Sequence, residues 1–153
     1  MIQNNEVIKI KFEVDVNPPD YAAFEHKYRL LPMPYEVKLY DLASLFAGKI
    51  HAVICRSWKN RVKGRDLYDY VFYLQCNAPV NLKHLRERLI QSEFIEKDAA
   101  CTLDDVKQML YTRFEIIDFE AAKEDAKPFI HDAMVLNLWT SDFFKQITEG
   151  LHE

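Results

Sequence analysis

Apolar and polar residues alternate over residues 7–16, strictly so from Ile8 onward. Ile8, Ile10, Phe12, Val14 and Val16 fall on one side, and Lys9, Lys11, Glu13 and Asp15 on the other. That period belongs to a strand with one packed face. Pro18 and Pro19 end it, because neither can donate to a ladder. Residues 21–34 carry mixed signals around Pro32 and Pro34 and read as an irregular connection with a short strand near residues 29–31. Residues 35–39 read as another short strand. From residue 42 to about 56 the period becomes helical, with Leu42, Leu45, Phe46, Ile50 and Val53 on one stripe and Asp41 placed to cap it. Residues 57–64 interrupt the pattern. A second helix is predicted over 66–75, with Leu67, Val71 and Leu74 as its stripe. Further helices are predicted over 81–91, 103–116 and 119–127, the last stopped by Pro128. Thr102 and Asp105 have the spacing of a capping box with Asp in place of Glu. Ser141 is the expected cap of a last helix reaching residue 149, followed by Gly150.

This order predicts an α+β fold in one domain over residues 1–153, strand-rich over 1–40 and helical over 41–153. A chain of 153 residues buries a proper core. Its hydrophobic half and 13% aromatic content exclude disorder. No apolar run is long enough to span a bilayer, and no basic-then-apolar leader opens the chain. Cys55, Cys76 and Cys101 are odd in number and form no C-x-x-C pair, which favours reduced thiols and a cytoplasmic protein. The five histidines lack zinc-site spacing and are expected at the surface or its boundary.

Net charge is -4, so any anion site has to be local. Residues 56–65 supply one. Arg56, Lys59, Arg61, Lys63 and Arg65 place five cations in ten residues with no acid. Lys49 adds a lone cation on the apolar stripe of the preceding helix, where it needs an anion or an escape to water. Asp66 and Asp69 follow at i, i+3 on one face of the next helix, with Tyr73 near them. Two readings compete. In the bland one Lys49 snorkels or pairs with a structural carboxylate, the loop is a solvated charge run, and the aspartates favour a helix N-terminus. In the sharper one Lys49 and the loop cations grip phosphates, and one aspartate orients a catalytic group or takes a proton from an attacking hydroxyl. Trp58 either stacks a base or packs. Glu13 and Asp15 share the polar face of the first strand and offer part of a divalent-cation site, or pair with Lys9 and Lys11.

Three segments together resemble a known family: Lys9-Ile-Lys-Phe-Glu-Val-Asp15, then Leu45-Phe-Ala-Gly-Lys-Ile-His-Ala52, then Arg61-x-x-x-Arg65-Asp66-Leu-Tyr-Asp69-Tyr70. They are similar to the C-terminal half of the AbiEii/AbiGii abortive-infection nucleotidyltransferase toxins, over roughly residues 7–75. The resemblance implies a partial polymerase-beta-like nucleotidyltransferase sheet followed by a helical body. It implies a toxin of a toxin–antitoxin, phage-defence system that transfers a nucleotide from a nucleoside triphosphate to an acceptor such as tRNA, with Mg²⁺. By the resemblance Lys49 would contact the phosphates, Asp66 would sit at the active site, and Glu13 or Asp15 would resemble a third carboxylate. The residue reading adds Arg56, Arg61, Lys63 and Arg65 as phosphate-binding cations and Asp69 as a second catalytic candidate. The chain departs from the family in lacking the N-terminal Gly-Ser motif and the metal-binding Asp-x-Asp pair. The expectation is a truncated product inactive by itself, or one whose front half lies on another polypeptide. An antitoxin or that missing half are the expected partners, and an exposed sheet edge predicts self-association. The rival classes are a non-catalytic module binding nucleotide, RNA or protein, and a plain helical interaction domain.

Overall fold

The computed structural model describes residues 10–56 and 63–153. A two-stranded antiparallel hairpin leads into six α-helices. The strands are β1 (Phe24–Arg29) and β2 (Tyr35–Tyr40). The helices are α1 (Leu42–Cys55), α2 (Gly64–Gln75), α3 (Leu82–Gln91), α4 (Leu103–Ile116), α5 (Phe119–Ala126) and α6 (Ser141–Thr148). Short 3-10 helices at Lys127–Phe129 and Ala133–Leu138 join α5 to α6. The α+β expectation holds, with this hairpin as the sheet among the described residues.

The predicted strand over residues 7–16 is not formed where it can be followed. Residues 10–16 have no regular structure, and Ile10, Phe12, Val14 and Val16 are 72–91% exposed. Alternation creates a face but supplies no partner for the ladder, and an unpaired strand gains nothing from its pattern. The actual first strand lies in the stretch read as irregular. β1 earns its place through register, with Phe24 opposite Tyr40 and Arg29 opposite Tyr35. The Phe24 and Tyr40 rings stack at 4.8 Å, Lys38 lies over Phe24, and His26 Nδ1 is 3.0 Å from Glu36 Oε1. Pro32 and Pro34 sit in the connection, where a missing N–H costs nothing. The strand predicted over 35–39 is β2.

Two of the three expected caps of the helical body held. Asp41 caps α1 by accepting from the Ser44 amide at 2.7 Å. Thr102 and Asp105 form the reciprocal capping box of α4. At α6 the cap is Thr140, which accepts from the Phe143 amide at 3.2 Å, and Ser141 is the first helical residue. Facing was read less well. Leu42 and Leu45 are exposed, while Phe46, Ile50 and Val53 are fully buried. On α2 the buried residues are Gly64, Asp66, Leu67 and Tyr70, with Val71 and Leu74 at the margin.

Helix α1 is the spine, packing on α2, α3 and α4; α2 also packs on α5, and α4 on α6. The centre is aromatic. Tyr70, Phe114 and Phe144 meet pairwise at centroid distances of 5.2–6.4 Å. The Thr148 hydroxyl donates to the Phe144 carbonyl at 2.7 Å, so the Tyr70 hydroxyl donates to Thr148 Oγ1, also at 2.7 Å. The chain before β1 is tied down by polar contacts. Ser44 Oγ accepts from the Ala23 amide at 2.9 Å, and Asn81 Nδ2 donates to the Tyr21 carbonyl at 2.8 Å. His84, expected near the surface, is fully buried here. Its Nδ1–H donates to the Asp20 carbonyl at 2.8 Å, and Nε2 accepts from Arg88 Nε at 3.0 Å.

Candidate functional site

The cations and carboxylates converge where the C-terminal half of α1 meets the first turns of α2. Gly64 sets how closely α2 approaches. A Cβ there would lie 1.9 Å from the Ala122 carbonyl oxygen on α5, so only glycine lets the helix start against that backbone. Asp66 then falls in the first turn of α2, where the helix dipole favours an acid. From α4, Arg113 Nε donates to the Val53 carbonyl at 3.1 Å and the same guanidinium reaches the Arg56 carbonyl, which holds the end of α1 in place. Sequence reasoning missed Arg113, because nothing local links it to residues nearly sixty positions earlier.

Lys49 bridges the two helices. Its Nζ lies 2.6 Å from Asp69 Oδ2 and 3.4 Å from Asp66 Oδ1. Arg56 Nη1 pairs with the other oxygen of Asp66. Asp66 is almost buried, at 7% side-chain exposure, whereas Asp69 is 41% exposed. Burial pulls the Lys49 pKa down, but the hydrogen bond and charge of Asp69, reinforced by Asp66, outweigh it and leave it above the usual lysine value. Nearby Tyr73 is shifted up, by burial first, with Lys49 opposing. Lys49 therefore meets its anions, as the bland reading required, and does so at a concave, solvent-open place, as the sharper one required.

The depression holds about 290 Å³ and is lined by Lys49, Arg56, Lys63, Arg65, Asp66 and Asp69. Four cations against two carboxylates leave a local charge of +2 in a chain of net charge -4. Arg65 also lies 4.8 Å over the Phe129 ring. Of the residues singled out from sequence, these six are brought together. Arg61, Lys59 and Trp58 lie outside the described residues. Glu13 and Asp15 lie on the exposed segment over residues 10–16, where Glu13 pairs with Lys11 and Asp15 accepts from the Asn17 amide at 3.0 Å.

Among the described residues, no group of three or more His, Cys, Asp or Glu side chains is placed to hold a metal ion. Asp66 and Asp69 are both engaged by cations. The three cysteines are free thiols. No described helix is long and apolar enough to cross a membrane.

A family model described as nucleotidyl transferase AbiEii toxin, Type IV TA system, matches residues 2–147. No curated protein and no solved structure matches the chain.

Proposed function

This chain belongs to the AbiEii nucleotidyl transferase toxin family, and we propose that it binds the polyphosphate of a nucleoside triphosphate at the α1–α2 depression and serves nucleotide transfer to an acceptor such as tRNA. The observation that carries the reading is Lys49, held between Asp66 and Asp69 at the floor of a pocket with a surplus of two positive charges. Incoming phosphate oxygens compete for the same donors. Arg56 and Arg65, the more exposed cations, would meet the chain of phosphates, and Lys63 and Lys49 would take it further in. Asp66 would act as a positioning group, keeping Lys49 and Arg56 aimed. Asp69, the more exposed carboxylate, would be the one an acceptor hydroxyl reaches.

In this reading the activity makes the chain a toxin of an abortive-infection, phage-defence pair in the cytoplasm, with an antitoxin partner. The test is incubation with Mg²⁺, labelled nucleoside triphosphates and bulk tRNA. Incorporation that disappears in Lys49→Ala supports transfer. A second reading is favoured by one observation: no carboxylate trio converges among the described residues. In it the same cations bind nucleotide or RNA without chemistry. Saturable binding lost in Lys49→Ala, with no incorporation, selects that reading. Absence of both binding and incorporation refutes the two together.

A further inference from the structure

A second concavity opens along α2, on a different face from Asp66 and Asp69. It holds about 330 Å³ and is walled by Tyr68, Val71 and Phe72 of α2 on one side and by Ile130, Leu138 and Trp139 on the other. Gln75, His131 and Asp132 stand at its polar margin. Tyr68 and Phe72 are i, i+4 neighbours, so their rings follow one another along a single face. Both remain about half exposed, and Leu138 across from them is more exposed still. Phe72 meets the Tyr73 ring edge-on at 5.5 Å and leaves its other side to the groove.

We propose that this groove seats the base of the nucleotide whose phosphates occupy the Lys49 depression. The proposal rests on the phosphate reading above and adds the nucleoside half of the ligand. Three observations support it. The first is size. A cavity of this volume lies at the small end of small-molecule sites, about 300–1,000 Å³. A protein partner needs on the order of 800 Å² of matched surface instead. The second is chemistry. Flat aromatic walls stack any base through its π-face, and a carboxamide, an imidazole and a carboxylate at the margin offer donors and acceptors to a base edge. The third is continuity. Arg65 lines the cation pocket and lies over Phe129, one residue before the groove wall begins at Ile130. Along α2, Arg65 and Phe72 are separated by about 10 Å of helix rise. Charged and aromatic subsites therefore share one helix, with Arg65 and Phe129 between them, and the +2 surplus of the first complements a polyphosphate joined to the base in the second.

The experiment compares binding of a nucleoside triphosphate, inorganic tripolyphosphate and the phosphate-free nucleoside to the full chain by titration calorimetry. Leu138→Trp fills the groove, and Phe72→Ala removes a stacking wall; both positions are exposed, and circular dichroism confirms folding. Wild type is expected to bind the nucleoside triphosphate at least about 5-fold more tightly than tripolyphosphate, the lower limit for one stacked base. Each variant is expected to erase most of that preference and leave tripolyphosphate affinity unchanged. Equal affinities in wild type, or a preference that survives both variants, overturn the base groove and leave the phosphate site standing. Nucleoside binding that is lost in the variants, without any tripolyphosphate binding, sinks the phosphate reading and keeps the groove. If none of the three ligands binds, both are overturned.

Discussion

The Lys49–Asp66 contact is the joint between α1 and α2, and a double-mutant cycle measures it. Lys49→Met removes the ammonium while keeping an apolar stem, and Asp66→Asn removes the charge while keeping the shape. At 3.4 Å the Coulomb energy of a unit pair is about 1.2 kcal/mol at the dielectric of water and about 5 kcal/mol at an effective dielectric of about 20. Asp66 is nearly buried and Lys49 is 28% exposed, so the bare value lies between these limits. Two neighbours reduce the coupling. Arg56 still compensates Asp66 when Lys49 is lost, and Asp69, at 2.6 Å, still holds Lys49 when Asp66 is neutralised. Each single variant should therefore cost about 1–2 kcal/mol. The coupling should be about 1 kcal/mol, equivalent to roughly 2–4 °C in Tm for a chain of this size. Urea unfolding of wild type, both singles and the double reads it directly. A coupling below about 0.3 kcal/mol is what independent sites show. That outcome would mean that the ammonium is solvated and that no shared pocket joins the helices.

Two other variants probe the frame of the site. Gly64→Ala should destabilise the fold by about 1–3 kcal/mol, because its Cβ would meet the Ala122 carbonyl and the backbone of α5 cannot yield cheaply; a stability gain, the usual result of Gly→Ala inside a helix, would disprove the close α2–α5 approach. His51 is held at a pKa of about 4, by burial first and then by Arg88 and Arg56. Its folded pKa lies below the unfolded value of about 6.5, so the unfolded chain binds the extra proton and stability falls as pH drops from about 6.5 to 4. Because solvent still screens the ring, the loss should be only on the order of 1–2 kcal/mol at the acid end, and His51→Gln should flatten that part of the stability–pH curve; identical slopes in the two proteins would remove His51 from the account.

Legibility followed range. Caps and helix starts were readable because they depend on residues three or four apart: Asp41 with Ser44, and Thr102 with Asp105. The juxtaposition of Lys49, Arg56, Asp66 and Asp69 on two consecutive helices was also readable, since a short loop keeps neighbours together. Helix facing was not. Tyr70 outranks Val71 and Leu74 in the core because Phe114, Phe144 and Thr148 are there to receive it, and those partners come from α4 and α6.

The amino-acid order alone therefore determined the helices, the caps at Asp41 and Thr102, and the presence of one cation-rich stretch followed by paired acids. It also endowed residues 10–16 with the periodicity of a strand, and here its authority stopped. Pairing is a property of two segments, and the described chain brings no ladder to that one while β1 and β2 find each other. Tertiary packing decided which carboxylate is buried and which is open, and how near Lys49 comes to each. Those are distances between elements, set by where a glycine lets α2 lie on α5 and where Arg113 holds the end of α1. No local pattern encodes them, because each depends on surfaces contributed by distant stretches of the chain.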